Sequence, residues 1–322
     1  MERRDESTVL ITGASGNLGS RLARHLASKD WRLRLMIHRT PLPEDLAGHP
    51  AVTAVRADLA RPETLAPAVE GSRVVVHFAG VLFAPRPERF LPETNTRWFA
   101  NLLDASVRAG VEKVILISFP HVEGATSAEN PATGRTDQTP ISVHARTRLA
   151  EERLLLDTTA DARTTPVILR LGMVYGRGIL MIDAARWLAR RRLLAVWNDP
   201  TWIHLISTAD FLDAAEAAIA NPAAEGIYHV GDEQPVTLQH FLDEACREWH
   251  CPRPHRLPLP LIHLAASSCE AFATLFRTRS PLTRDFVTIG RVSYFGDTSR
   301  TRRDLLPSLR YPSLADGLHT LQ

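Results

Sequence analysis

Three glycines stand three residues apart in Thr12-Gly13-Ala14-Ser15-Gly16-Asn17-Leu18-Gly19. The apolar run 9–12 precedes them, and Leu18, Leu22 and Leu26 follow at helical spacing. In such a turn the first glycine permits a tight bend and the second lets backbone approach a pyrophosphate. The third lets the helix pack on the strand. The unpaired N–H groups at the helix start then face the phosphates. The chemistry implied is dinucleotide binding, with Gly13, Ser15, Gly16, Asn17, Leu18 and Gly19 as the cradle. The next apolar run, 32–37, ends in His38-Arg39-Thr40 with no acid nearby. An acid there would bind ribose hydroxyls, whereas a base accepts a 2′-phosphate. The expected cofactor is therefore NADP(H), with NAD(H) left open. Arg39 is the main expected contact, with His38 beside it.

The elements that must position this turn alternate regularly. Strands are expected at 9–12, 32–37, 52–56, 74–78 and 114–118, and helices at 17–28, from Pro62, and at 95–109 up to Gly110. Continuous apolar strands imply a parallel sheet covered on both faces. Residues 120–140 are polar and rich in Gly, Thr and Pro, the pattern of a lid, a binding loop or disorder. A helix at 142–157 and a strand at 166–171 complete this half. After Gly172 the alternation loosens: helices at 179–191, 208–221 and 238–249 are interleaved with strands at 202–206 and 227–230. The expected fold is α/β, a Rossmann-like doubly wound parallel sheet. Residues 1–172 form the dinucleotide-binding domain. Residues 173–322 partly complete the sheet and partly build a smaller substrate-binding lobe.

Composition narrows the partners. A formal net charge of +2 over 322 residues gives no reason to expect nucleic acid. The basic residues are 36 arginines and only two lysines, Lys29 and Lys113, so lysine-dependent chemistry has few places to sit. Three cysteines without a CxxC fit a reduced, cytoplasmic setting. Cys246, His250, Cys251 and His255 match no zinc spacing, so no metal is expected. The N-terminus runs into a strand without a signal-peptide pattern. The apolar stretch 257–276 is interrupted by His263, Ser267, Ser268 and Glu270, which reads as a buried or interface helix rather than a span.

The turn TGASGNLG, then Asp58-Leu59, HFAG at 77–80, TNTRWFANLLDASVRAGVEKVILIS at 94–118 and LRLGMVYGRG at 169–178 together resemble the extended short-chain dehydrogenase/reductase superfamily. Later segments, IYHVGDEQPVTLQHFLDEA at 227–245, FGDTSRTRRDL at 295–305 and SLADGL at 313–318, extend the resemblance over nearly the whole chain. It is strongest toward NAD-dependent epimerases, 3β-hydroxysteroid dehydrogenases and dihydroflavonol reductases. The resemblance implies that Asp58 and Leu59 flank the adenine and that Ala79 and Gly80 lie along the cofactor. Asn95 would lie behind the site, with Arg170 and Tyr175 near the nicotinamide. It also implies a homodimer through the helices near 95–109 and 142–157.

The family's proton machinery is absent. The resemblance implies a tyrosine, a lysine four residues later and a serine or threonine after the fifth strand. Here His144 stands at the tyrosine position, Arg148 at the lysine position and Phe119, following Ser118, at the third. The first tyrosine of the chain is Tyr175 and no lysine follows Lys113, so no YxxxK motif exists. Arginine stays protonated and cannot shuttle protons, although it can bind ribose. Imidazole titrates near neutrality, which makes His144 the general-acid choice. Ser118, His121 or a backbone N–H is left to steady a substrate oxygen. No arginine stands where sugar-nucleotide members hold a diphosphate, and His204 and Asp210 remain from that segment. Phe83, Phe119, Tyr175, Met181, Trp187, Trp197 and Trp202 supply apolar walls for a hydrophobic small molecule. The reading is an atypical NADPH-dependent reductase of a carbonyl, enone or imine. The alternative is a non-catalytic NADP(H)-binding sensor, scaffold or partner subunit, and a sugar epimerase or dehydratase ranks third.

Overall fold

Strands of four to seven residues build the centre of the fold. The computed structural model describes residues 8–80, 86–276, 278, 280 and 282–322. Seven strands form one sheet: β1 (Thr8–Thr12), β2 (Arg32–Ile37), β3 (Val52–Arg56), β4 (Val74–His77), β5 (Lys113–Ser118), β6 (Thr165–Leu171) and β7 (Gly226–Val230). Their order is β7-β6-β5-β4-β1-β2-β3, and every pairing is parallel. Register pairs such as Val9 with Leu33 and Val74, and Ile115 with Val167, align the apolar runs. The chain reverses its winding between β1 and β4. That switch point opens a crevice at the carboxyl ends of the strands.

The helices of seven residues or more are α1 (Asn17–Ala27), α2 (Trp98–Arg108), α3 (Val143–Thr159), α4 (Leu180–Arg190), α5 (Thr208–Ala220), α6 (Leu238–Glu248), α7 (Leu259–Phe276) and α8 (Arg284–Gly290). Alternate strand residues feed two cores, because successive side chains of a strand point to opposite faces. Val9, Ile11, Val74 and Val76 pack with Leu22 and Leu26 of α1 and Phe211 of α5. Leu10, Val75, Val114 and Leu116 pack with Phe99 and Leu102 of α2 and Leu155 of α3. Side-chain caps start four of these helices: Ser142 Oγ accepts from Ala145 N–H at 3.0 Å, Ser207 Oγ from Asp210 N–H at 3.0 Å, Thr237 Oγ1 from His240 N–H at 3.0 Å and Thr283 Oγ1 from Phe286 N–H at 3.1 Å.

One expectation from pattern is corrected. The strand read over 202–206 is two strands broken at His204. Trp202–Ile203 pairs antiparallel with Val236–Thr237, whereas Leu205–Ser207 pairs parallel with Met173–Tyr175. Burial pushes His204 down to about 4, so the ring is neutral. It accepts from Gly296 N–H at Nδ1 and donates from Nε2 to the Asp232 carbonyl, bridging three segments. The polar stretch 120–140 is stitched to the C-terminal half rather than loose. Ala132 N–H donates to Phe295 O at 2.8 Å, Asp297 N–H to Ala132 O at 2.9 Å, and Thr126 N–H to Ser293 O at 3.0 Å.

Candidate functional site

The glycine turn sits at the switch point, and its geometry requires glycine. Gly13 has φ +69°, and a Cβ there would lie 2.9 Å from Ala79 N at the end of β4. A Cβ on Gly16 would lie 2.9 Å from Gly13 O, and one on Gly19 would overlap the same carbonyl. The turn is thus pressed against 78–79 and against the first turn of α1, leaving backbone N–H groups at the helix start. These features fit a pyrophosphate cradle. Ser15 Oγ donates to Thr40 O at 3.0 Å, tying the turn to the loop after β2. The Asn17 side chain is already engaged: it donates to Gly178 O at 2.7 Å and accepts from Leu180 N–H at 3.2 Å. Asn17 therefore clamps the turn to the start of α4. Arg39 is exposed at the end of β2, and His38 Nε2 lies 3.4 Å from Asp58 Oδ2. Asp58 caps the following turn through Ala60 N–H, and the Leu59 carbonyl accepts from Asn101.

Helix α3 brings its functional side chains under the end of β4. Arg148 Nη2 would sit 3.4 Å from a Cβ on Gly80, and Asn95 Oδ1 3.9 Å from it. Asn95 lies in a π-helical turn, Pro92–Arg97, and donates to Thr147 Oγ1 at 3.2 Å. Arg148 Nη1 is 2.8 Å from Glu151, a buried carboxylate, although no aligned hydrogen bond joins them. Burial pushes Glu151 up to about 7 against the pull of Arg148, and Glu152 adds to the rise. An arginine fork with buried, unaligned nitrogens beside Gly80 fits a ribose at that position.

His144 has a partner that the sequence order hides. Its Nδ1 lies 2.5 Å from Asp285 Oδ2, on α8, and both side chains are 12% exposed. The second Asp285 oxygen accepts from Val143 N–H at 3.1 Å. Burial alone would raise the Asp285 carboxyl, but the hydrogen bond from His144 and its charge hold it below the usual carboxylate range. An ionised carboxylate only accepts, so His144 Nδ1 carries the shared proton and Nε2 is left for chemistry.

Ser118 and Tyr175 are placed away from the roles expected of them. Ser118 is buried, and its hydroxyl donates to Glu152 Oε1. It belongs to a closed network around Arg170, which is fully buried. Arg170 donates to Glu152 at 2.5 Å from Nη2, to Glu123 from Nη1 and to the Arg135 carbonyl at 2.9 Å. Glu123 also accepts from Thr133 and Gly134 N–H, and His229 Nε2 lies 3.3 Å from it. Ser118 is thus fixed by this network. Tyr175 is fully buried against Phe241, with its hydroxyl pressed on Gly317, so it is core rather than pocket wall. Trp197 is likewise buried, donating to Thr201 Oγ1 at 2.8 Å. Phe119 is partly exposed and meets His121 edge-on at 5.6 Å. Enclosure pushes His121 down to about 3, leaving it neutral and unable to serve as an acid near pH 7. Met181, Trp187 and Trp202 are exposed. Phe83 lies outside the described residues.

One group of three metal-capable side chains converges among the described residues: His25, Asp213 and Glu216, within 4.8 Å. The Lys29 ammonium already occupies Glu216, which also accepts from His25 and Trp31. Protein cations and N–H donors fill the place of an ion. Cys246, His250, Cys251 and His255 form no such group among the described residues.

A glycine-turn cradle at the switch point of a parallel sheet defines a dinucleotide-binding α/β protein. The model of the NAD dependent epimerase/dehydratase family matches residues 9–231, and the chain belongs to that family. It is similar to the 2-alkyl-3-oxoalkanoate reductase of Shewanella oneidensis, 26% identical over 92% of this chain and 81% of that one. It is also similar to the ceramide reductase of Caulobacter vibrioides, 27% identical over 84% of this chain and 80% of that one. Among solved structures, the UDP-glucose 4-epimerase of Thermus thermophilus in complex with NAD superposes with a TM-score of 0.75. That match has 19% identity and covers 98% of this chain and 97% of the other. Family and relatives' names point to NAD(P)-dependent oxidoreductases.

Proposed function

We propose that the chain is an NADPH-dependent reductase of a hydrophobic small molecule with a carbonyl, enone or imine group, in which His144 stands in for the missing tyrosine. The observation that carries this reading is the His144–Asp285 pair at 2.5 Å on the helix whose Arg148 faces Gly80. When bound, the nicotinamide supplies the hydride. The residues of this chain do the rest. Gly13, Gly16 and Gly19 admit the pyrophosphate and α1 offers it N–H groups. Arg148 binds ribose hydroxyls, and Arg39 neutralises a 2′-phosphate. Asp285 fixes the His144 ring through Nδ1, so that Nε2 faces the reduced substrate atom as its proton donor. The compounds in the names of the two reductase relatives, an alkyl-substituted oxoalkanoate and a ceramide, support the hydrophobic substrate class.

Ser118, sealed against Glu152, and Phe119 in place of a hydroxyl favour a second reading, a non-catalytic NADP(H)-binding protein. One experiment separates the two. NADPH fluorescence is titrated beside NADH, and NADPH oxidation is then followed with hydrophobic ketones, enones and imines. Tighter NADPH binding with turnover is expected. Binding without turnover over a broad panel moves the assignment to the second reading, and no binding of either nucleotide overturns both.

A further inference from the structure

Helix α7 divides its surface in an unusual way. Its inward stripe, Ile262, Ala266, Glu270 and Ala273, is buried. Its outward side carries Leu261, Leu264, Phe272, Leu275 and Phe276, with Leu264 at 64% and Leu275 at 76% exposure. These positions recur at helical spacing and share one face. Mean hydropathy over the 18 residues is 1.4, and only 22% of them are buried. The one acid, Glu270, points inward, where Arg284 donates to it from backbone and guanidinium, each at 2.8 Å. A helix on the surface of a protein in water should turn a polar side outward. A contiguous apolar patch marks a binding surface.

The surroundings select the partner. The strand His255–Leu257 leads into α7 and pairs with Ala195–Trp197, which follows the tail of α4. This brings Arg192, Arg253 and His255 around one hollow. Arg190, Arg192 and Arg253 are exposed and form no ion pair among the described residues. Trp187, 51% exposed, carries the Arg191 guanidinium 3.9 Å above its ring. Arg284 lies on the inward side of the helix, two-thirds of the way along it, through its bond to Glu270. An apolar strip broken only by Ser268, whose hydroxyl donates to the Leu264 carbonyl, with exposed arginines beside the strand that leads into it, fits a helix lying in the headgroup plane of an anionic bilayer.

We infer that α7 is an in-plane anchor that docks the protein on an anionic lipid surface, with Leu261, Leu264, Phe272 and Leu275 inserted at the boundary of headgroups and acyl chains. Helix α7 packs on α8, whose Asp285 holds His144. Docking therefore sets the candidate site beside the lipid phase, where an apolar substrate is concentrated. That consequence rests on the reductase reading, but the anchor itself does not.

The test uses the full chain with vesicles of phosphatidylcholine alone or mixed with phosphatidylglycerol, separated by flotation. The protein should float with the mixed vesicles, bind neutral ones less and lose binding as salt rises. L264S/F272S/L275S should cut the floated fraction about tenfold with an unchanged melting temperature, because these side chains are exposed. If that variant does not fold, R190E/R253E should lose binding to the mixed vesicles only. Absence of flotation, or flotation untouched by both variants, overturns the anchor. So does a wild-type dimer that the triple substitution dissociates, which would assign the face to a second copy. Nucleotide binding is read separately, so failure of the anchor and failure of the reductase reading remain distinguishable.

Discussion

At the scale of single residues, the chain separates cofactor binding from proton handling. Arg39 and His144 carry the two halves of the proposal, and each has its own signature. Arg39→Ala should weaken NADPH about tenfold, ~1.4 kcal/mol, and leave NADH unchanged, as measured by fluorescence titration. Asp285→Asn removes the carboxylate that orients the His144 ring, so kcat should fall about tenfold or more while NADPH affinity stays. A merely structural Asp285 would lower the melting temperature without lowering kcat measured well below it. The His144 position was readable only through its place in a helix after Pro140. Asp285 was not readable, because 141 residues separate the partners and nothing local marks a lone aspartate in α8.

At the scale of elements, the glycine turn and the Arg170 network are the two rigid joints. Gly13→Ala places a side chain in left-handed backbone and 2.9 Å from Ala79 N. Loss of about 1–3 kcal/mol in stability is expected, together with loss of nucleotide binding, read by thermal melting and titration. Glu152→Gln leaves Arg170 half-paired in a fully buried place and should cost about 3–5 kcal/mol. The turn and the strands were legible because glycine spacing and apolar runs are local signals. The Arg170 network was not, since Ser118, Glu123, Glu152 and His229 meet only after four separate segments pack. Their sequence contexts are those of ordinary polar residues. The break at His204 was hidden for a similar reason: an apolar run of five residues cannot announce that its two ends join different sheets.

At the scale of the whole molecule, the sheet is completed by β7, which brings the later half of the chain back onto β6 and leaves Asp232 buried just beyond it. Burial pushes that carboxyl up to about 8, against the pull of Arg302. A folded-state pKa raised above the unfolded value of 3.8 gives stability that is full below about 4 and drains as pH climbs to 8. Asp232→Asn should therefore raise the melting temperature more at pH 8 than at pH 5, a difference that a thermal-shift series would read. The central claim is that a hydride-carrier site has kept its cradle and exchanged its proton donor. Wild type and His144→Ala, compared for NADPH binding and for turnover of the best substrate in the panel, test it most directly. Equal binding with turnover lowered about 100-fold or more is the predicted result. Unchanged turnover in His144→Ala would contradict it.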